Sequence, residues 1–212
     1  MARLLPLFPL QLVAFPGSAI PLHIFEERYK TMVGHCERTG EEFGIVLAKE
    51  DGIVNAGCTV AVEKVLERYP DGRFDVITRG RRRFVIQSLD QELDWLRGEV
   101  EFFDDDDFTP VTAQLRERAQ ASWSEIRAAL IETGQQLTGD EPESEDPLYS
   151  FQLAQAVSDL DFQNLMLRSR SEAERLRQFV DFAREYVPRT HYVARMKRVA
   201  PTNGSGHKPA EI

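Results

Sequence analysis

The hydrophobic period of this chain changes once, and that change restricts the folds open to it. Up to Phe103 apolar residues recur mostly at every second position, the spacing of a strand face. After the acidic run Asp104-Asp105-Asp106-Asp107 they recur at every third or fourth, the spacing of a helix face. Strands first and helices second predict an α+β protein in which sheet and helices form separate layers. The acidic run is then the boundary. Of the 212 residues, we expect 1–105 to form a β subdomain and 106–188 a helical subdomain. Residues 189–212 are expected to be a basic, mobile C-terminal tail, because Arg189, Arg195, Lys197, Arg198 and Lys208 accompany no apolar period.

Within the β part, Phe43–Lys49, Cys58–Tyr69, Arg73–Thr78, Arg83–Gln87 and Trp95–Phe103 are runs rich in Val, Ile and Phe. Turn residues separate them: Asp51-Gly52, Pro70-Asp71-Gly72, Gly80 and the polar stretch from Asp90 to Asp94. Gly72 and Gly80 are read as turn residues with positive φ. One helix interrupts the strands. Phe25, Tyr29, Met32, Val33 and Cys36 line one face of it, Glu26 and Glu27 sit where the helix dipole favours anions, and Gly40 stops it. The uncharged stretch from Leu4 to Leu22 is long enough to resemble a membrane span, but Pro6, Pro9, Pro16 and Pro21 would each cost about 3 kcal/mol inside a helix. It is read as extended chain turning at Pro16-Gly17.

In the helical part, Thr109-Pro110 predicts an N-cap followed by Pro at the first helical position, ahead of the stripe Leu115, Ala119, Trp123, Ile126 and Leu130. That stripe is read as core. Asp146-Pro147 starts a second helix carrying Phe151, Ala154 and Val157, and Asp161 a short third with Leu165 and Met166. The capping box Ser171-x-x-Glu174 opens a fourth with Leu176, Phe179, Val180, Ala183 and Tyr186, expected to end before Pro188.

The residues that could carry chemistry are few. A phosphate loop would end in Gly-Lys-Ser/Thr and a nucleophile elbow would read Gly-x-Ser-x-Gly, and neither string occurs. His23, His35, His191 and His207 form no helical ligand pair, and no lysine sits in a small apolar setting that would depress its pKa. Asp104 to Asp107 lacks the spaced oxygen ligands of a calcium loop. We therefore expect no catalytic residue, no metal and no cofactor. Cys36 and Cys58 match no metal or redox spacing and support no disulfide framework, which points to a reducing cytoplasm. His23 is expected to pack beside a strand.

The net charge of −9 means that the average surface repels phosphate backbones and anionic lipid, so nucleic acid would need a local basic patch. Arg79-Gly80-Arg81-Arg82-Arg83 is the one dense basic cluster ahead of the tail. Two readings of it stand: recognition of an acidic partner or phosphate, or a solvated turn whose arginines neutralise nearby carboxylates.

The opening string Leu5-Pro6-Leu7-Phe8-Pro9-Leu10, then Phe15-Pro16-Gly17, then Ile20-Pro21-Leu22-His23-Ile24-Phe25-Glu26-Glu27-Arg28-Tyr29, resembles the N-terminal substrate-binding domain of Lon-type ATP-dependent proteases. The likeness continues at Gly57-Cys58-Thr59-Val60 and at Asp71-Gly72-Arg73 leading to Gly80-x-x-Arg83-Phe84, and spans about residues 3 to 187. It implies a PUA-like β-barrel carrying one helix, followed by a small four-helix bundle. The ATPase and protease modules of Lon would begin where this chain ends, so the resemblance implies a freestanding relative of the recognition domain, without proteolytic activity.

The expected function is accordingly that of a non-catalytic protein-binding module for exposed apolar or unfolded segments, or for a partner protein. The alternative is an RNA- or nucleotide-binding module, by analogy with PUA-like barrels. Two places are expected to bind: an apolar cleft at Leu12, Val13 and Phe15, and the charged turn at Arg79, Arg81 and Arg82.

Overall fold

The computed structural model of the chain describes residues 4–134 and 141–199. The elements are β1 (Leu5–Leu10), β2 (Ala19–Ile24), α1 (Glu27–Thr39), β3 (Phe43–Lys49), β4 (Gly52–Arg68), β5 (Phe74–Asp90), β6 (Arg97–Phe103), α2 (Ala113–Glu132), α3 (Tyr149–Gln155), α4 (Leu160–Arg168) and α5 (Glu172–Val199). The change of period is thus a change of architecture: every named strand precedes the acidic run, and every described helix except α1 follows it. The fold is α+β, a mixed sheet with five described helices. No described helix is long and apolar enough to cross a membrane.

β1 pairs in parallel with β3 and antiparallel with β6, while β3, β4, β5 and β6 are successive antiparallel neighbours, so the pairings return to β1. β2 stands outside this circuit. It lies antiparallel to β5 along Phe74–Arg79, and β6 takes over the same edge of β5 from Arg83 to Asp90. One strand therefore serves two successive partners, and the hand-over falls at Gly80 to Arg82.

Here an expectation is corrected. Gly80 makes no turn: β5 runs unbroken through it, and its φ is not positive. Its N–H donates to the Ser18 carbonyl at 2.9 Å and its carbonyl accepts from Gly17 N–H at 3.0 Å. A Cβ at this position would lie 1.9 Å from the Phe15 carbonyl oxygen, so glycine is required by a close backbone approach. Opposite Gly80–Arg83, β4 supplies only Cys58 to Val60, one residue fewer, and β5 bulges.

Several helix ends also differ from expectation. Thr109 does not cap α2: its hydroxyl donates to Asp107, and Thr112 is the N-cap, accepting from Leu115 N–H at 3.2 Å. Phe25 lies before the α1 N-cap Glu26, outside the helical period, and is 58% exposed with its ring stacked on His23. Leu165 on α4 is also exposed, whereas Met166 is buried. The fourth bundle helix does not stop at Pro188 but continues as α5 to Val199. Proline removes the N–H that would reach the Arg184 carbonyl, yet packing on α2 holds the helix beyond it. Thr190 is buried and donates to the Tyr186 carbonyl at 2.9 Å, and His191 lies 3.6 Å from Glu132 at the end of α2. Residues 189–199 are therefore helix and not tail, and the rest of the expected tail lies outside the described residues.

A single hydrophobic cluster joins the two layers. It takes in Phe15 ahead of β2, Val33 of α1, Val76 of β5, Ile126 of α2, Phe151 of α3 and Phe179 of α5. The Trp123–Ile126–Leu130 stripe is buried in it.

Candidate functional site

A groove of about 800 Å³ opens where β5 passes from β2 to β6. Pro16, Gly17 and Arg81 form its sheet wall, Leu148 and Phe151 its helical wall, and Phe108, on the link from β6 to α2, its rim. Gly17 adopts φ +77°, and a Cβ there would meet the Leu148 side chain at 2.6 Å, so the Pro16-Gly17 turn brings backbone against helix start. A second hollow of about 340 Å³ continues past Leu148 and Phe151 to the segment 141–146.

The floor is an ion network that ties sheet to helices. Arg175 of α5 donates Nη1 to Asp105 Oδ1 and Nη2 to Asp105 Oδ2, both at 2.7 Å. Arg83 of β5 donates Nη2 to the same Oδ1 at 2.7 Å and Nη1 to the Ser169 carbonyl at 2.6 Å. Glu172 and Ser150 complete the Arg175 shell, and Phe151 stacks beneath it, 4.3 Å from the guanidinium carbon. Burial by itself would raise the Asp105 pKa, but hydrogen bonds and charge from Arg175 and Arg83 outweigh it and hold the carboxyl below its ordinary range. Burial pushes Arg83 down despite Asp105; at Arg175 burial acts the same way, but Asp105 and Glu172 outweigh it and the net shift is upward. Two buried guanidiniums are tolerable only because these acceptors are present.

The basic cluster is thereby divided. Arg79 pairs with Glu63 at 2.9 Å and donates to the Gly17 carbonyl at 3.0 Å. Arg82 turns away from the groove, 3.3 Å from Glu42, and covers the Phe102 ring. Arg83 is buried in the network. The Arg81 side chain is exposed in the groove and has no hydrogen-bond or ion-pair partner among the described residues. The bulge opposite Thr59 separates these four side chains, and no spacing rule reads it from the sequence.

Of the apolar candidates, Phe15 is 1% exposed and stacked on Phe151 at 5.6 Å, so it is core beneath the groove rather than its surface. Val13 is half-buried against the core, and Leu12 lines a separate cleft with Phe25 and Tyr29. Sequence reasoning missed Phe108, Leu148 and Asp105. Phe108 did carry a signal: it is an aromatic set between the acidic run Asp104–Asp107 and the Thr109-Pro110 helix start, and it is 83% exposed.

Two other polar groups lie elsewhere. His23 lies within β2 and is exposed rather than packed beside a strand, with Nδ1 2.5 Å from Asp75, which also accepts from Tyr69 at 2.7 Å. That hydrogen bond pushes the Tyr69 phenol up to about 12 and, with His23, draws Asp75 down. Burial pushes the Cys58 thiol up to about 12, so it is not a thiolate nucleophile near neutral pH.

The model of the ATP-dependent protease La (LON) substrate-binding domain matches residues 4–182, both layers and the groove between them. The chain belongs to the Lon substrate-binding domain family. A Lon N-terminal domain protein from Xanthomonas campestris, of known crystal structure, is 25% identical and superposes with a TM-score of 0.67, covering 85% of this chain and 98% of that one. The N-terminal domain of Mycobacterium avium complex Lon protease, 17% identical with a TM-score of 0.59, shares the fold over the same fractions. Lon protease of Porphyromonas gingivalis is 26% identical over 114 residues, half of this chain and 13% of that protease. Lon protease of Parabacteroides distasonis is 28% identical over 110 residues, again 13% of its length. The family is one of substrate recognition in proteolysis, and the likeness is to the N-terminal part of those proteases.

Proposed function

We propose that this chain is a non-catalytic recognition module that binds exposed apolar segments of unfolded client proteins in the groove between sheet and helices. The observation that carries this is Phe108, a large aromatic left almost fully in solvent on the rim of a groove whose helical wall holds Leu148 and Phe151. Generic recognition of unfolded chains requires generic chemistry, which is apolar area removed from water at about 25 cal/mol per Å². We read the closed strand circuit as a PUA-like barrel and α2 to α5 as one small bundle, with the groove at their junction. We place the protein in the cytoplasm, because the spacing of Cys36 and Cys58 supports no disulfide framework. The RNA reading loses support, because Arg79, Arg82 and Arg83 are engaged by carboxylates.

The test is fluorescence anisotropy with a permanently unfolded protein, reduced and carboxymethylated. Binding should persist at about 0.5 M salt, where the Debye length is about 4 Å, and weaken on Phe108→Ala. Loss of binding in salt, or a Phe108→Ala protein that binds as before, would remove this reading.

A further inference from the structure

The charge lining the groove changes sign along its length. At the β5 end four arginines stand against Glu63, Asp104 and Asp105, while past Leu148 and Phe151 the acids Glu141, Glu143 and Asp146 stand against Arg79 alone. Most of these groups are already engaged. Asp105 holds Arg83 and Arg175, and Arg79 holds Glu63. Glu141 accepts from Trp123 and Arg127, and Asp146 accepts from the Leu148 N–H. Asp104 lies within the field of Arg83. The Arg81 guanidinium at one end and the Glu143 carboxylate at the other are exposed and have no partner among the described residues. Between them lie Pro16, Leu148 and Phe151, which line both hollows.

We infer that the groove selects extended segments with an apolar centre, an acidic residue flanking it on one side and a basic residue on the other. The inference rests on the reading of the groove as the client site, and adds to it the class of sequence that is preferred. The apolar centre supplies affinity against Leu148 and Phe108, and the flanks pair with Arg81 and Glu143, supplying selection. Exposed pairs of this kind are individually weak, so the preference is modest and falls with salt.

Four short labelled peptides with one Ile-Leu-Phe centre test this, flanked by Asp and Lys, by Asp on both sides, by Lys on both sides, or by Gln on both sides. The full chain should bind the Asp/Lys peptide about three- to tenfold more tightly than the others at low salt. Arg81→Glu should make the Lys/Lys peptide the best ligand, and Glu143→Lys the Asp/Asp peptide. Both positions are exposed, and unchanged melting temperatures would show both variants folded. An identical ranking in all three proteins would overturn the inference while leaving the groove reading intact, and so would a preference for the Lys/Lys peptide that follows the overall negative charge and persists in both variants. If no peptide binds, including the Gln-flanked one, the groove reading fails and the inference with it. Displacement of the Asp/Lys peptide by oligouridylate, abolished in Arg81→Glu, would overturn it in favour of nucleic acid.

Discussion

Arg175 and Asp105 meet in a two-pronged ion pair, Nη1 to Oδ1 and Nη2 to Oδ2 at 2.7 Å, that joins α5 to the chain leaving β6. Arg83 shares the same carboxylate, so one aspartate fixes a helix to a sheet. Replacing it removes the shared counter-charge of two buried guanidiniums, leaving Arg175 with Glu172 and Arg83 with backbone carbonyls alone. Asp105→Asn should therefore destabilise the protein by about 3–5 kcal/mol, read as a shift in the urea midpoint. A variant within about 0.5 kcal/mol of the parent would show that the network contributes little.

The same carboxylate gives an acid limb to stability. The folded pKa of Asp105 lies below its unfolded value, so its contribution is present above about pH 4, the unfolded pKa, and is lost as pH falls through the lower folded pKa. Unfolding free energy should drop on acidification below that point. Asp105→Asn should show a shallower drop. Equal acid slopes in the two proteins would assign the pH dependence to other groups.

Phe15 and Phe108 should separate stability from binding. Phe15→Ala empties a core position stacked on Phe151 and should cost about 3–5 kcal/mol. Phe108→Ala removes an exposed ring and should leave the melting temperature nearly unchanged while weakening client binding about fivefold or more. Calorimetry and anisotropy on the two variants check both statements, and equal thermal losses would place Phe108 in the fold rather than in recognition.

Gly80→Ala puts a methyl group 1.9 Å from a backbone oxygen of Phe15. That neighbour cannot swing aside as a side-chain tip would, so the turn into β2 must shift or its hydrogen bonds to β5 must lengthen. The expected loss is about 3 kcal/mol or more. Hydrogen exchange should localise it: amides of Gly17 and Gly80 should lose protection ahead of those in β3 and β4. Uniform loss across the sheet would point to another cause.

The sequence by itself determined the α+β class, the change from strands to helices after Asp104–Asp107, the α1 stripe of Tyr29, Met32, Val33 and Cys36, and the buried face of α2. These are local matters: period two or period 3.6 and a Gly stop, each readable within a few residues. Family membership was legible for the same reason, in the contiguous string from Leu5 to Tyr29. Tertiary structure decided the rest. Nothing in the spacing of Arg79 to Arg83 tells which guanidinium is consumed, because the acceptors Glu63, Glu42 and Asp105 reach them through the pairing of β5 with its neighbours. Gly80 reads as a turn until β2 docks and the Phe15 carbonyl takes the space of its missing Cβ. Pro188 reads as a stop until α2 packs against the far side of it. In each case a contact between residues distant in sequence outweighs a local propensity of about 1–3 kcal/mol, and the groove is built from such contacts: the hand-over on β5, the shared Asp105, and Leu148 against Gly17.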